Sequence, residues 1–270
     1  MQARSALFDL YGDHLRPRGA QAPVAALVRL LAPLDIAAPA VRTAVSRMVR
    51  QGWLQPVRLP SGPGYALTAR ALHRLDDAAS RIYRTTRRDW EGQFDLIVAA
   101  PPAGRTSRTR LADTLAFLGY GAISPTTWAA PRRGPNRTRD AEVADLLRDL
   151  SVPAERFVAN HAGGTGGAVE LAHRAWDLTA LAESYRRFVA EFSPVLAELP
   201  GSADDEVRYA VRFRLVHAWR TFLFSDPQLP AELLPRDWPG ATAATFFDRH
   251  ATRLRPAADR FVDACLNPGR

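Results

Sequence analysis

From Pro39 to Gln51 the chain sets Val41, Ala44, Val45, Met48 and Val49 against Arg42, Thr43, Ser46, Arg47 and Arg50. The apolar residues follow i, i+3, i+4, i+7, i+8, a single stripe at the helical period, which predicts a surface helix with one buried face. Pro39 suits the first turn, where its missing N–H is no loss, and Gly52 suits the stop. The polar face carries arginines and short hydroxyl side chains and no acid, whereas an ordinary solvated helix intersperses both signs of charge. Thirteen residues make a helix of ~20 Å, enough to lie in a DNA major groove. Arginine suits guanine and phosphate, and threonine and serine let the backbone approach the bases.

The neighbouring segments complete a known arrangement. Upstream, Val24, Leu27, Val28, Leu30, Leu31 and Leu34 predict a second helix ending near Pro33, and Ala6, Leu7, Leu10 and Tyr11 a first helix ending at Gly12. Downstream, Trp53 to Leu59 reads as a strand, held near an edge by Pro56. Pro60 to Gly64 reads as a turn and Tyr65 to Leu67 as the return strand. Three helices and a small hairpin make a winged helix-turn-helix with Pro39–Gln51 as the recognition helix. A further helix is expected from Ala69 to about Arg84.

Charge follows the same division. Residues 1–90 hold 14 arginines against 6 acids, while the second and third ninety-residue stretches balance at 10 against 10 and 12 against 12. The whole formal net charge of +8 therefore lies in the first third, as a polyanion-binding module requires. Arg58 at the base of the wing, and Arg16 and Arg18 between helices, are candidate phosphate contacts beside Arg42, Thr43, Ser46, Arg47 and Arg50. The turn Pro60–Gly64 has no basic residue, so the wing tip is a poor phosphate ligand. A single cysteine, Cys265, excludes an internal disulfide framework and a multi-cysteine zinc site. No membrane-length apolar run or secretory leader is visible, which predicts a cytoplasmic protein.

Ordered motifs then tie the chain to a family. Gly12-Asp13-His14-Leu15-Arg16-Pro17-Arg18-Gly19, Leu30-Leu31-Ala32-Pro33-Leu34, Ala40 to Arg47 and Gly52-Trp53-Leu54 resemble the phenylacetate-degradation repressor (PaaX-type) family. The likeness continues at Arg81-Ile82-Tyr83, Trp90-Glu91-Gly92, Asp226 to Pro230 and Leu233 to Gly240, covering essentially the whole chain. The resemblance implies a transcriptional regulator, usually a repressor, with an acyl-CoA-type effector such as phenylacetyl-CoA. It requires no cofactor and no metal.

Residues 94–160 alternate strand and helix. Phe94–Ala100 reads as a strand, Leu111 to Leu118 as a helix stopping at Gly119, Ala122–Ala130 as a strand containing Trp128, Val143 to Leu150 as a helix and Arg156–Asn160 as a strand. This pattern predicts a small ferredoxin-like domain, in agreement with the family's middle domain, which is similar to the small CRISPR-associated nucleases. Gly163–Gly167 reads as a flexible turn, lacking the Lys-Ser/Thr ending of a P-loop. Beyond Glu170 apolar stripes at helical spacing predict an all-helical region. Asp226–Gly240, with its four prolines, reads as a rigid connector.

The expected fold is thus α+β and multidomain, with a winged helix-turn-helix over residues 1–88, a ferredoxin-like domain over 89–169 and a helical effector and dimer domain over 170–270. The expected function is a homodimeric repressor bound to a double-stranded DNA operator of a catabolic operon and released by a small-molecule effector. Trp128, Trp176, Arg212, Arg214, Trp219 and Arg220 are candidates for the effector site, because an acyl-CoA needs cations for phosphates and aromatic walls. The competing reading is an enzyme, a metal-dependent nuclease at Asp95 or an acyl-CoA hydrolase, for which no convergent set of acids, bases and nucleophiles can be assembled.

Overall fold

The computed structural model describes residues 1–60, 62–72, 90–132, 134 and 137–267. Most of the helix expected over Ala69–Arg84 and the stretch Arg81–Tyr83 lie outside the described residues; residues 69–72 are helical. The elements in chain order are α1 (Ala3–Asp9), β1 (Gln21–Pro23), α2 (Val24–Leu31), α3 (Ala38–Arg50), β2 (Leu54–Leu59), β3 (Gly62–Leu67), β4 (Gln93–Ala99), α4 (Arg105–Phe117), β5 (Gly121–Ser124), β6 (Thr127–Pro131), α5 (Arg137–Asp149), β7 (Ala154–Asn160), α6 (Gly164–Ala175), α7 (Leu178–Ala197), α8 (Asp205–Arg220), α9 (Phe222–Ser225) and α10 (Gly240–Leu266). No helix among the described residues is long and apolar enough to cross a membrane.

Packing groups the chain into two compact units, Met1–Arg84 with Arg187–Thr221 and Thr242–Arg270, and Thr85–Arg186 with Phe222–Ala241. The division at residues 88 and 169 cuts across this grouping, because one buried cluster contains Leu7, Leu27 and Met48 together with Tyr209, Phe213 and Val262. The first helix does not stop at Gly12. Its backbone continues as a wider π-helical segment to Leu15 and a 3₁₀ turn over Arg16–Arg18, and ends at Gly19, whose φ of 84° suits only glycine without strain. The extension is held because Tyr11, His14 and Leu15 are all buried on that core. Within this unit β1, β3 and β2 form one antiparallel sheet in that order, with Gln21–Pro23 facing Ala66–Gly64 and Leu54–Leu59 facing Leu67–Gly62. At Gly64 a Cβ would stand 2.6 Å from the Ala22 carbonyl oxygen, so glycine permits β1 to lie so close.

The second unit is built on an antiparallel sheet in the order β5-β6-β4-β7. The single strand expected over Ala122–Ala130 is a hairpin. Pro125 and Thr126 form its turn, tightened by the Thr126 N–H donating to Ser124 Oγ at 3.2 Å. One sheet face packs Ile97, Ala130 and Trp128 on α4 and α5 through Leu111, Leu115, Val143 and Leu146. The other packs Phe94 and Ala129 on α6, and it also receives Leu229 and Leu233 from the proline-rich connector. The glycine cluster is not a flexible turn either: Gly164–Gly167 begins α6, and a Cβ at Gly167 would overlap the His161 ring. The small residues let helix and ring share that space.

Candidate nucleic-acid interface

The exposed side of α3 is the side expected from the sequence. Val41, Ala44, Val45 and Met48 are buried, while Arg42, Thr43, Ser46, Arg47 and Arg50 are exposed. Burial of four apolar side chains, at about 25 cal/mol per Å² removed from water, fixes the helix's rotation about its own axis. The stop is equally firm, with the Gly52 and Trp53 N–H groups donating to the carbonyls of Val49 and Met48 at 3.0 and 2.9 Å. Among the described residues no carboxylate is in ion-pair contact with Arg42, Arg47, Arg50 or Arg58.

The β2–β3 hairpin stands beside this helix. Arg58 is exposed and directly opposite Pro63 across the β2–β3 ladder, so the two share a face of the hairpin. Pro63 in turn lines an open cleft with Arg42 of α3 and with Pro23, Val24, Ala25 and Val28 around the start of α2. Arg42 and Arg58 are therefore both presented on the hairpin side of α3. β1 had no signal in the sequence beyond three residues before a helix, yet it supplies Pro23 to this cleft.

Other candidate cations are engaged elsewhere. Arg18 donates through Nε to Asp263 Oδ1 at 2.7 Å and through Nη2 to Asp259 at 3.2 Å, so it joins the first helical segment to α10. Arg16 is half-buried. Arg212 is 3% exposed. It pairs with Asp13, donates to the Ala251 carbonyl at 3.1 Å and lies 3.3 Å from His14 Nε2. Arg220 and His217 both hold Asp9, and Arg214, half exposed, reaches Asp35 at 3.1 Å. Trp219 lies flat on Phe247, rings 4.7 Å apart. In the second unit Trp128 packs on the α4/α5 side of the sheet and Trp176 with the α6 side. Arg212 and Arg220 thus serve ion pairs with Asp13 and Asp9, and Trp128 and Trp176 pack on opposite faces of the second unit's sheet.

Sequence reasoning missed that ionic network. Its signal was present: Asp9 and Asp13 are spaced i, i+4 on the buried side of an apolar helix, and Arg212 and Arg220 alternate with the core residues Val211, Leu215 and Val216 of α8. His14, between Asp13, Arg212 and Asp259 and against the rings of Tyr209 and Phe213, is driven down to a pKa of about 4, chiefly by burial. Asp13 is held below the usual carboxylate range: burial pushes it up, but His14 and Arg212 together pull it further down. Asp95, the candidate metal ligand, is 6% exposed and occupied by Arg139, with Arg132 at 3.5 Å. Among the described residues no three histidine, cysteine or carboxylate groups cluster as metal ligands.

Residues 2–71 match the family model described as PaaX-like protein, and residues 176–264 that of the PaaX-like protein C-terminal domain. The transcriptional repressor PaaX of Escherichia coli (strain K12) is 30% identical over 266 residues, covering 96% of this chain and 82% of the repressor. This chain belongs to the PaaX family. The PaaX family assignment makes it a transcriptional regulator and not an enzyme. The structure of uncharacterized protein Rv0674 from Mycobacterium tuberculosis is similar to this chain, 26% identical, with a TM-score of 0.65 over 96% of this chain and 98% of that one.

Proposed function

We propose that the chain is a homodimeric repressor of a catabolic operon that binds a double-stranded DNA operator through α3 and is released by an acyl-CoA-type effector such as phenylacetyl-CoA. The observation that carries this reading is the acid-free, exposed face of Arg42, Thr43, Ser46, Arg47 and Arg50 on a helix whose opposite side is locked into the core. Three helical elements followed by the β2–β3 hairpin support a winged helix-turn-helix. The sheet order β5-β6-β4-β7 with α4 and α5 on one face supports a ferredoxin-like arrangement for the central segment, with a helical region following. The protein works where the DNA is, in the cytoplasm.

Two copies of α3 related by a two-fold axis read half-sites about one helical turn, ~34–36 Å, apart or a multiple of it. An effector lowers operator affinity by favouring a dimer geometry in which that spacing no longer fits, through its differential affinity for the two geometries. DNase footprinting on the region upstream of the gene, with and without a panel of acyl-CoAs, tests both parts. A protected two-fold site that one acyl-CoA erases is the expected result. Absence of protection at low salt overturns the DNA reading, and protection unchanged by every acyl-CoA overturns the effector class.

A further inference from the structure

The angular placement of side chains on α3 assigns them different tasks, and we infer that Thr43 and Ser46 read base edges while Arg42 and Arg47 grip the two phosphate backbones flanking the groove. The inference rests on the DNA-binding reading of α3 and adds to it a division between specificity and affinity.

The division follows from helix geometry. At about 100° per residue, the buried residues Val41, Ala44, Val45 and Met48 define one direction, and the direction opposite to it is the centre line of the exposed face. Thr43 and Ser46 lie within ~30° of that line, one on each side, and Arg50 lies ~10° from it in the last turn. Arg42 and Arg47 lie ~70° off it, again one on each side. A helix of ~10–12 Å diameter fills a major groove of ~12 Å, so its centre line faces the floor and its flanks face the walls. The floor is base edges and the walls are phosphates. In the earlier turns, whose residues contact base edges, short hydroxyl side chains at the centre let the helix descend to the floor, where they bond to either donors or acceptors of the bases, and Arg50 follows on the same line in the last turn. Long guanidinium groups on the flanks span the remaining distance to the walls and meet phosphate oxygens there.

The wing reinforces one wall. Arg42 borders the cleft that Pro63 lines, and Arg58 shares the wing face of Pro63. Arg42 and Arg58 therefore serve the same backbone, and Arg47 alone of the two flank arginines serves the other. The apolar tip does not need a cation of its own, since Arg42 already lies on its side of the helix.

The test uses the full-length protein and two duplexes of equal length, one enriched by the wild-type protein from a random library and one scrambled. Arg42→Ala and Arg47→Ala are each expected to weaken binding to both duplexes by the same factor, about tenfold, and to lower the slope of log affinity against log salt by about one. Arg47→Lys is expected to restore most of that loss on both duplexes, because a phosphate accepts a point charge where bidentate guanine contact does not. Thr43→Ala and Ser46→Ala are expected to keep the salt slope, to weaken the enriched duplex only, and to enrich a different sequence when selection is repeated. A loss in Arg47→Ala confined to the enriched duplex and not restored by lysine would overturn the division while leaving DNA binding by α3 intact. Failure of the wild type to bind either duplex would overturn the function itself.

Discussion

Acidification from pH 7.5 to 5 is expected to destabilise the protein through one buried ring. His14 is 1% exposed, and its pKa falls from 6.5 to about 4 on folding, because burial disfavours the imidazolium more than Asp13 and Asp259 favour it, with Arg212 and Arg18 adding to the fall. Between those two values the unfolded chain binds a proton that the folded chain does not, so stability rises with pH across this window and is lost as pH falls through it. At pH 5 the cost is about 2 kcal/mol, approaching about 3 kcal/mol near pH 4. Asp13, whose folded pKa lies below 3.8, keeps its contribution above that value and loses it only in stronger acid, outside the window. His250 is also lowered by burial and adds a residual slope of the same sign. Urea unfolding followed by far-ultraviolet circular dichroism, at several pH values from 5 to 7.5, measures the effect in wild type and in His14→Phe. The substituted ring still packs on Tyr209 and Phe213, and Arg212 keeps Asp13 and the Ala251 carbonyl. The variant should be nearly flat where wild type falls. Parallel curves for the two proteins would refute the reasoning.

Three further outcomes follow from the packing. Arg212→Ala leaves the part-buried Asp13 without its guanidinium and removes a hydrogen bond to the Ala251 carbonyl, and should cost about 3 kcal/mol, measured by the same urea titration. Met48→Ala empties a fully buried position on α3 and should cost about 2–5 kcal/mol, measured by the same urea titration. Gly121→Ala would place a Cβ 2.5 Å from the Trp176 ring and 2.6 Å from the Ala175 carbonyl oxygen, so a loss of about 1–3 kcal/mol is expected, visible as a lower melting temperature and a changed tryptophan emission.

How much was legible in the sequence depends on the range of the interaction that decides each feature. The stripe of α3 and its stop at Gly52 are local, set by period and by residues that end helices, and both were readable within a residue. The alternation of strands and helices in the central segment was readable for the same reason. The path through Gly12 was not, because His14 and Asp13 are held by Arg212, nearly two hundred residues away. The hairpin at Pro125–Thr126 was hidden by apolar residues on both sides, since a strand and two strands joined by a tight turn have the same composition. The partners of Arg212 and Arg220 were not readable for a physical reason: an arginine near aromatic residues suits a phosphate or an aspartate equally, and only the fold brings Asp13 and Asp9 to them.

The shared cluster of Tyr209, Phe213 and Val262 with Leu7, Leu27 and Met48 has a consequence for anyone wishing to cut the molecule down. A fragment ending soon after β3 would carry α3 but leave one wall of its interior open to water. The N-terminal segment is thus not a portable part: its transplantation to another scaffold requires the late helices to travel with it, although more than a hundred residues separate them along the chain.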